Sequence, residues 1–202
     1  MSDLLRPRDL QRLRGHEELG PGQTVVDFWR WALGDLRMNT TRGYLVEYLV
    51  AKALGDKSSV RVEWGPYDVA AADGTLVEVK TSGYLQGWAT KKLYTPKWTF
   101  KAVSTDQLWS EELGTYLPVE PGARVHVWVF ALQTCQDPGA YDPRSIDQWE
   151  FRVMPHRQLL ATGQKGAGLA FFDRHGVAPV QYSELATAVR AARTANDQLG
   201  SA

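Results

Sequence analysis

The chain is 202 residues long, 44% hydrophobic and 23% charged, with Lys+Arg 23 against Asp+Glu 23. That length favours one domain with room for a core of helices and a sheet, and the hydrophobic share excludes a disordered chain. A formal charge of zero excludes a global field that would attract nucleic acid, so such a partner must meet a local basic patch.

Residues 1–22 are polar and end in Gly20-Pro21-Gly22, which reads as an N-terminal arm before a single domain over 23–202. Thr24 with Asp27 marks a helix start, and apolar spacing carries that helix over 25–36. Asn39, Thr40 and Thr41 offer N-caps for a second helix over 42–54, stopped by Gly55. Strands are predicted over 59–64, 67–71 and 75–81, with Asp73-Gly74 as a hairpin signal between the last two. Residues 82–104 mix aromatics, lysines, Gly and Pro and give no clear element. A short helix is predicted over 105–113, then a nearly all-apolar strand over 124–132 of the kind covered on both faces. A loop over 133–148 with two Asp-Pro steps precedes a strand over 149–154, a short helix over 157–160 and a last strand over 168–172. Ser183 caps a final helix running to Asn196. Trp29, Trp31, Trp64, Trp109, Trp128 and Trp149 sit in periodic runs and read as core.

Lone Cys135 excludes a disulfide framework and a Cys-rich zinc site, and the four histidines show no pair at ligand spacing. His126 lies in an apolar run and reads as a core histidine. No apolar run approaches the roughly 18 residues of a membrane span. The polar start, with Asp3, Arg6, Arg8 and Asp9, lacks the apolar core of a signal peptide. The expectation is a cytoplasmic protein without a membrane partner.

The informative stretch is Pro66-Tyr67-Asp68, nine residues, then Glu78-Val79-Lys80. Side chains alternate along a strand, so Glu78 and Lys80 share one face while Val77 and Val79 share the other. Register decides whether Asp68 joins them. A two-residue loop at Asp73-Gly74 puts Asp68 opposite Val79, facing the wrong way. A three-residue loop, Ala72-Asp73-Gly74, puts it opposite Glu78, with Gly74 in the left-handed position of a bulged turn. Two carboxylates then share an edge with a lysine, an arrangement that raises one acid's pKa unless a cation is present. A hard divalent ion such as Mg²⁺, held by one or two carboxylates and substrate phosphate, removes the conflict. It activates water and stabilises a phosphoryl oxygen, while a neighbouring lysine orients the water or balances transition-state charge.

A third acid stands on the helix over 42–54, where Glu47 has Gly43, Tyr44, Val50, Ala51 and Leu54 as same-face neighbours. That places Glu47 among apolar residues, with Arg42 and Lys52 marking the wet side. A buried carboxylate needs a partner. The metal cluster, Lys80 or another basic residue outside the helix would provide one.

A helix with an inward Glu, followed by a hairpin carrying Asp and Glu-x-Lys, resembles the PD-(D/E)XK nuclease superfamily, although Tyr67 separates Pro66 from Asp68. The resemblance implies an α/β, restriction-endonuclease-like αβββαβ core with a mixed central sheet flanked by helices, drawn mostly from residues 42–132. It implies Mg²⁺ (or Mn²⁺) held by Asp68, Glu78 and the Val79 carbonyl, with Glu47 as a further acid. Lys80 would serve hydrolysis, and Gln86 looks like the extra polar residue carried by some branches. The implied activity is endonucleolytic cleavage of DNA, for which a homodimer would suit double-strand cutting.

Between Glu78 and Asp106 there is no acid, but Lys80, Lys91, Lys92, Lys97 and Lys101 interleave with Tyr84, Trp88, Tyr94, Trp98 and Phe100. This segment reads either as a nucleic-acid grip of lysines and stacking rings, Trp88 among them, or as core aromatics with solvated lysines. Two alternatives to a DNA endonuclease stay open: a non-catalytic nucleic-acid- or protein-binding module on the same fold, and an RNase or single-strand nuclease.

Overall fold

The computed structural model of the chain describes residues 13–57, 61, 66–88, 91–100, 107–110, 113, 115–118 and 125–201. The chain divides into two compact units, Met1–Asp35 and Leu36–Ala202. In the first unit, β1 (Glu18–Gly20) pairs antiparallel with β2 (Gln23–Thr24), which runs straight into α1 (Val25–Leu33). The expected cap is present, since the Thr24 N–H and hydroxyl donate to Asp27 Oδ2 at 2.9 and 2.8 Å. Gly34 closes the helix three residues before the predicted end. Trp31 is 85% exposed, so its apolar spacing does not make it core.

The second unit opens with α2 (Asn39–Leu54), β3 (Val69–Ala70), β4 (Leu76–Gly83) and β5 (Lys97–Thr99). It continues through β6 (Gln107–Ser110), β7 (Thr115–Pro118), β8 (Val127–Gln133) and β9 (Trp149–Pro155). It closes with α3 (His156–Ala161), β10 (Gly166–Gly168), α4 (Leu169–Arg174) and α5 (Leu185–Gly200). Met38, not Asn39 to Thr41, is the N-cap of α2, and Gly55 ends it in the left-handed conformation at φ 68°. The last helix begins after a 3₁₀ turn at Tyr182–Glu184, so Ser183 lies inside that turn.

The four-stranded sheet has the order β3-β4-β8-β9, with β4 and β8 parallel and the other pairs antiparallel. Strand β8 is central and its seven residues are all buried, which explains its unbroken apolar run. Its alternate residues feed two cores. On one face Val127, Val129 and Ala131 pack with Val77 and Val79 beneath Val46 and Val50 of α2 and Leu185 and Val189 of α5. On the other, Trp128, Phe130 and Leu132 pack with Trp98, Phe100, Phe171 and Phe172. Just before β8, His126 Nδ1 accepts the Leu76 N–H at 2.9 Å, as a satisfied histidine does.

The structure is mixed α/β, and it corrects two predicted elements. Within the helix predicted over 105–113, Gln107–Ser110 forms β6, paired antiparallel with β7. The Trp-, Thr- and Tyr-containing segments suit an extended pair, and that pairing overrides a weak helical period. Over 168–172, the predicted last strand is α4, preceded by the short β10 paired with β5. The crossover joining parallel β4 and β8 thus carries strands, with no helix among its described residues. The predicted strand over 59–64 lies, apart from Arg61, outside the described residues.

Candidate active site

The hairpin joining β3 and β4 sets the geometry. Val69 pairs with Val77 and Ala70 with Leu76, so continuing the register puts Asp68 across from Glu78. The loop is the three-residue form: the Ala71 N–H bonds the Thr75 carbonyl at 2.9 Å, and Gly74, at φ 83°, donates its N–H to the Ala71 carbonyl at 2.9 Å. Only a residue that tolerates positive φ fits that place without strain. Asp73 Oδ1 accepts the Thr75 N–H at 3.0 Å and fixes the turn from outside.

The two acids and the lysine come together on this edge. Lys80 Nζ lies 2.6 Å from Glu78 Oε1 and 3.8 Å from Asp68 Oδ2. The side chains of Lys80, Asp68 and Glu78 keep 31%, 19% and 8% of their surface exposed, so the cluster is shielded but open at the lysine. Glu78 is deep because its face is not solvent: its neighbour across β8 is Trp128, and Lys80 Nζ stands 5.8 Å from that ring. Both faces of β4 are therefore covered, one by valines and helices, the other by aromatic core.

Backbone groups join the same edge. The Val77 carbonyl accepts the Asp68 N–H at 3.0 Å, and the Val79 N–H donates to Asp68 Oδ2 at 2.7 Å. A strand residue turns its N–H and C=O to the same side, so the Val79 carbonyl faces Asp68's side of β4. The donor set is two carboxylates and one peptide oxygen, all hard oxygens, and it fits a divalent ion that keeps some of its waters. Among the described residues, no group of three or more Asp, Glu, His or Cys side chains comes together as a metal cluster.

Glu47 takes the last of its three expected partners. Its carboxylate is ion-paired with Arg61, whose Nε is in close contact with Oε2 while Nη2 lies 3.3 Å from Oε1. Arg61 in turn stacks 4.7 Å over the Tyr44 ring. Burial pushes the Glu47 carboxyl above its ordinary range; Arg61 opposes this, and the negative charge of Asp68 adds to it. Glu47 therefore feels the Asp68 and Lys80 charges while its own partner is the arginine.

Gln86 is 8% exposed and works on Arg42: Oε1 accepts from Arg42 Nη2 at 2.9 Å, and Nε2 donates to the Gly83 carbonyl at 2.8 Å. Arg42 itself is 2% exposed, which corrects its assignment to the wet side of the helix. It stands four and eight residues before buried Val46 and Val50, so the spacing was a signal that its charge obscured.

The basic, aromatic segment divides. Trp98 and Phe100 are core at 2% and 1% exposure, while Lys97 and Thr99 alternate outward along β5. Trp88 is 65% exposed and meets Tyr94 edge to face with centroids 5.6 Å apart. Lys91 and Lys92 are exposed, and Lys101 lies outside the described residues.

Compared with known proteins, the chain matches no family model, no curated protein and no solved structure. Among the described residues no helix is long and apolar enough to cross a membrane.

Proposed function

We propose that this chain is a metal-dependent nuclease of the PD-(D/E)XK kind, an endonuclease hydrolysing phosphodiester bonds in DNA. The observation that carries the reading is the meeting of Asp68, Glu78 and Lys80 on one hairpin edge, with the Val79 carbonyl turned to the same side. Asp68, Glu78 and the Val79 carbonyl would hold Mg²⁺, which lowers the pKa of a water and stabilises charge on a phosphoryl oxygen. Lys80 has a flexible stem and three donors, so its ammonium can leave Glu78 to orient the attacking water or meet a phosphate oxygen. Asp68, held by the Val79 N–H, fixes one side of the site. Glu47, tied to Arg61, brings that ion pair close to Asp68 from the helix.

The test is cleavage of supercoiled plasmid, linear duplex, single-stranded DNA and structured RNA with Mg²⁺, with Mn²⁺ and with EDTA. Metal-dependent cutting that disappears in Asp68→Asn supports the reading, and the preferred substrate separates DNase from RNase. Cutting that survives Asp68→Asn overturns the assignment of the site. The second reading, a non-catalytic binding module, is favoured by the way Lys80 already answers the charge of Glu78. Nucleic-acid affinity that needs no metal, is unchanged in Lys80→Ala and comes without cleavage would select it.

A further inference from the structure

Beside the carboxylates, across Lys80, lies a cavity of about 290 Å³ between the start of α2, the end of β4 and the segment after it. Its wall carries three cations, Arg42, Lys80 and Lys97, and none of the residues lining it is acidic. Arg42 is the deepest. Its Nη1 donates to the Leu85 carbonyl at 3.0 Å, and its Nη2 donates to Asn39 Oδ1 and Gln86 Oε1, each at 2.9 Å. All three acceptors are neutral oxygens, and its Nε–H has no acceptor among the described residues. Among the described residues no carboxylate is paired with this guanidinium, which the Tyr141 hydroxyl also favours, whereas a buried arginine ordinarily finds a counter-charge. Burial accordingly draws its pKa down, with the Tyr141 hydroxyl opposing.

Three further features give the cavity a positive bias and a shape. Asn39 opens α2, and the first turn of that helix carries no acid, so the positive end of the helix dipole stands there unneutralised. Gly83 makes room for the guanidinium, since a Cβ there would lie 3.2 Å from Arg42 Nη1. Trp88 and Tyr94, in edge-to-face contact with each other, form part of the same lining, with Trp88 largely exposed. Cations and aromatic rings lining one cavity match the two halves of a nucleotide, a phosphate and a base.

We infer that this cavity binds one nucleotide of the substrate strand, its phosphate on the Arg42 and Lys97 side and its base against Trp88 and Tyr94. The inference rests on the nuclease reading for its substrate, and it adds a subsite next to the carboxylates. The positive charges of Arg42 and Lys97 here lie next to the Asp68–Glu78–Lys80 cluster. A strand crossing both would meet an anion site and a metal site in succession.

Isothermal titration calorimetry in EDTA tests it, with deoxyadenosine 5′-monophosphate, deoxyadenosine and inorganic phosphate as probes. The monophosphate is expected to bind at least about 10-fold tighter than the nucleoside, as charge-assisted bonds to phosphate require. Trp88→Ala is expected to weaken it about 5-fold or more, the scale of one base stacked on an aromatic ring. Lys97→Ala is expected to weaken both phosphate-bearing probes and to flatten the salt dependence of binding. Both are exposed positions, so these variants keep the test meaningful even where Arg42→Met fails to fold. Binding no tighter for the monophosphate than for inorganic phosphate overturns the nucleotide assignment, as does wild-type binding in both variants. A protein that binds the monophosphate but never cuts DNA keeps the cavity and loses the nuclease reading; one that cuts without binding it does the reverse.

Discussion

Lys80 and Arg42 border the same cavity, yet their charges are answered by different chemistry. Lys80 faces two carboxylates, at 2.6 and 3.8 Å, so its corner of the molecule holds one positive charge against two negative ones. Arg42 is more deeply buried and is met by an amide oxygen on α2, a backbone carbonyl and the Gln86 side chain. The first corner suits a further cation, the second an anion. What a polar cluster would take up follows from the charge left over after internal pairing, and not from how many charged residues it contains.

The sharpest break of this comparison is Asp68→Asn. It removes a negative charge but keeps the shape and an oxygen for the Val79 N–H, so cleavage should fall by about 100-fold or more with an unchanged circular dichroism spectrum. Next, Lys80→Met leaves the Glu78 carboxylate without its nearest ammonium. Stability should drop by about 2 kcal/mol in urea unfolding, less than the roughly 3–5 expected of a fully buried pair, because Lys80 is partly in water. Gly83→Ala acts on the other corner: its Cβ would press on Arg42 Nη1 and on Gln133. It should cost about 1 kcal/mol and weaken binding of deoxyadenosine 5′-monophosphate without moving either carboxylate, read by paired melting and titration experiments.

The smallest effect concerns Glu47. Its folded-state pKa is raised above the ordinary 4.5, chiefly by burial. Between the ordinary and the raised value the folded protein binds more protons than the unfolded chain, so this contribution is whole below pH 4.5 and is lost as pH rises through the folded value. Glu47→Gln should remove that slope from melting temperatures measured across pH 4 to 7. An unchanged slope would mean that Arg61 compensates the buried charge in full.

Much of the hairpin could be read without coordinates. Gly74 marks the left-handed residue of a three-residue loop, and the loop alone settles that Asp68 faces Glu78 and not Val79. Strand β8 was legible for a related reason, since only a strand covered on both faces sustains so long an apolar run. Lys97 to Phe100 shows where pattern reading stops. Alternation does sort Trp98 and Phe100 inward, but exposed Trp88 and half-buried Tyr94 belong to a segment without a period, and only the chain's path brings them to a cavity wall. Residues 107–110 and 169–172 fold otherwise than predicted because short windows carry little periodic signal, and strand pairing or core packing then outweighs it.

Local chemistry by itself determined the Thr24–Asp27 cap, the turn and the shared face of Glu78 and Lys80, because each depends on residues close in the chain. Tertiary structure decided the partners of the buried charges. Glu47 pairs with Arg61, fourteen residues on, and Arg42 with Leu85 and Gln86, more than forty residues on. A charge taken out of water must be met by whatever polar group the fold brings near it, and spacing along one helix carries no information about that group.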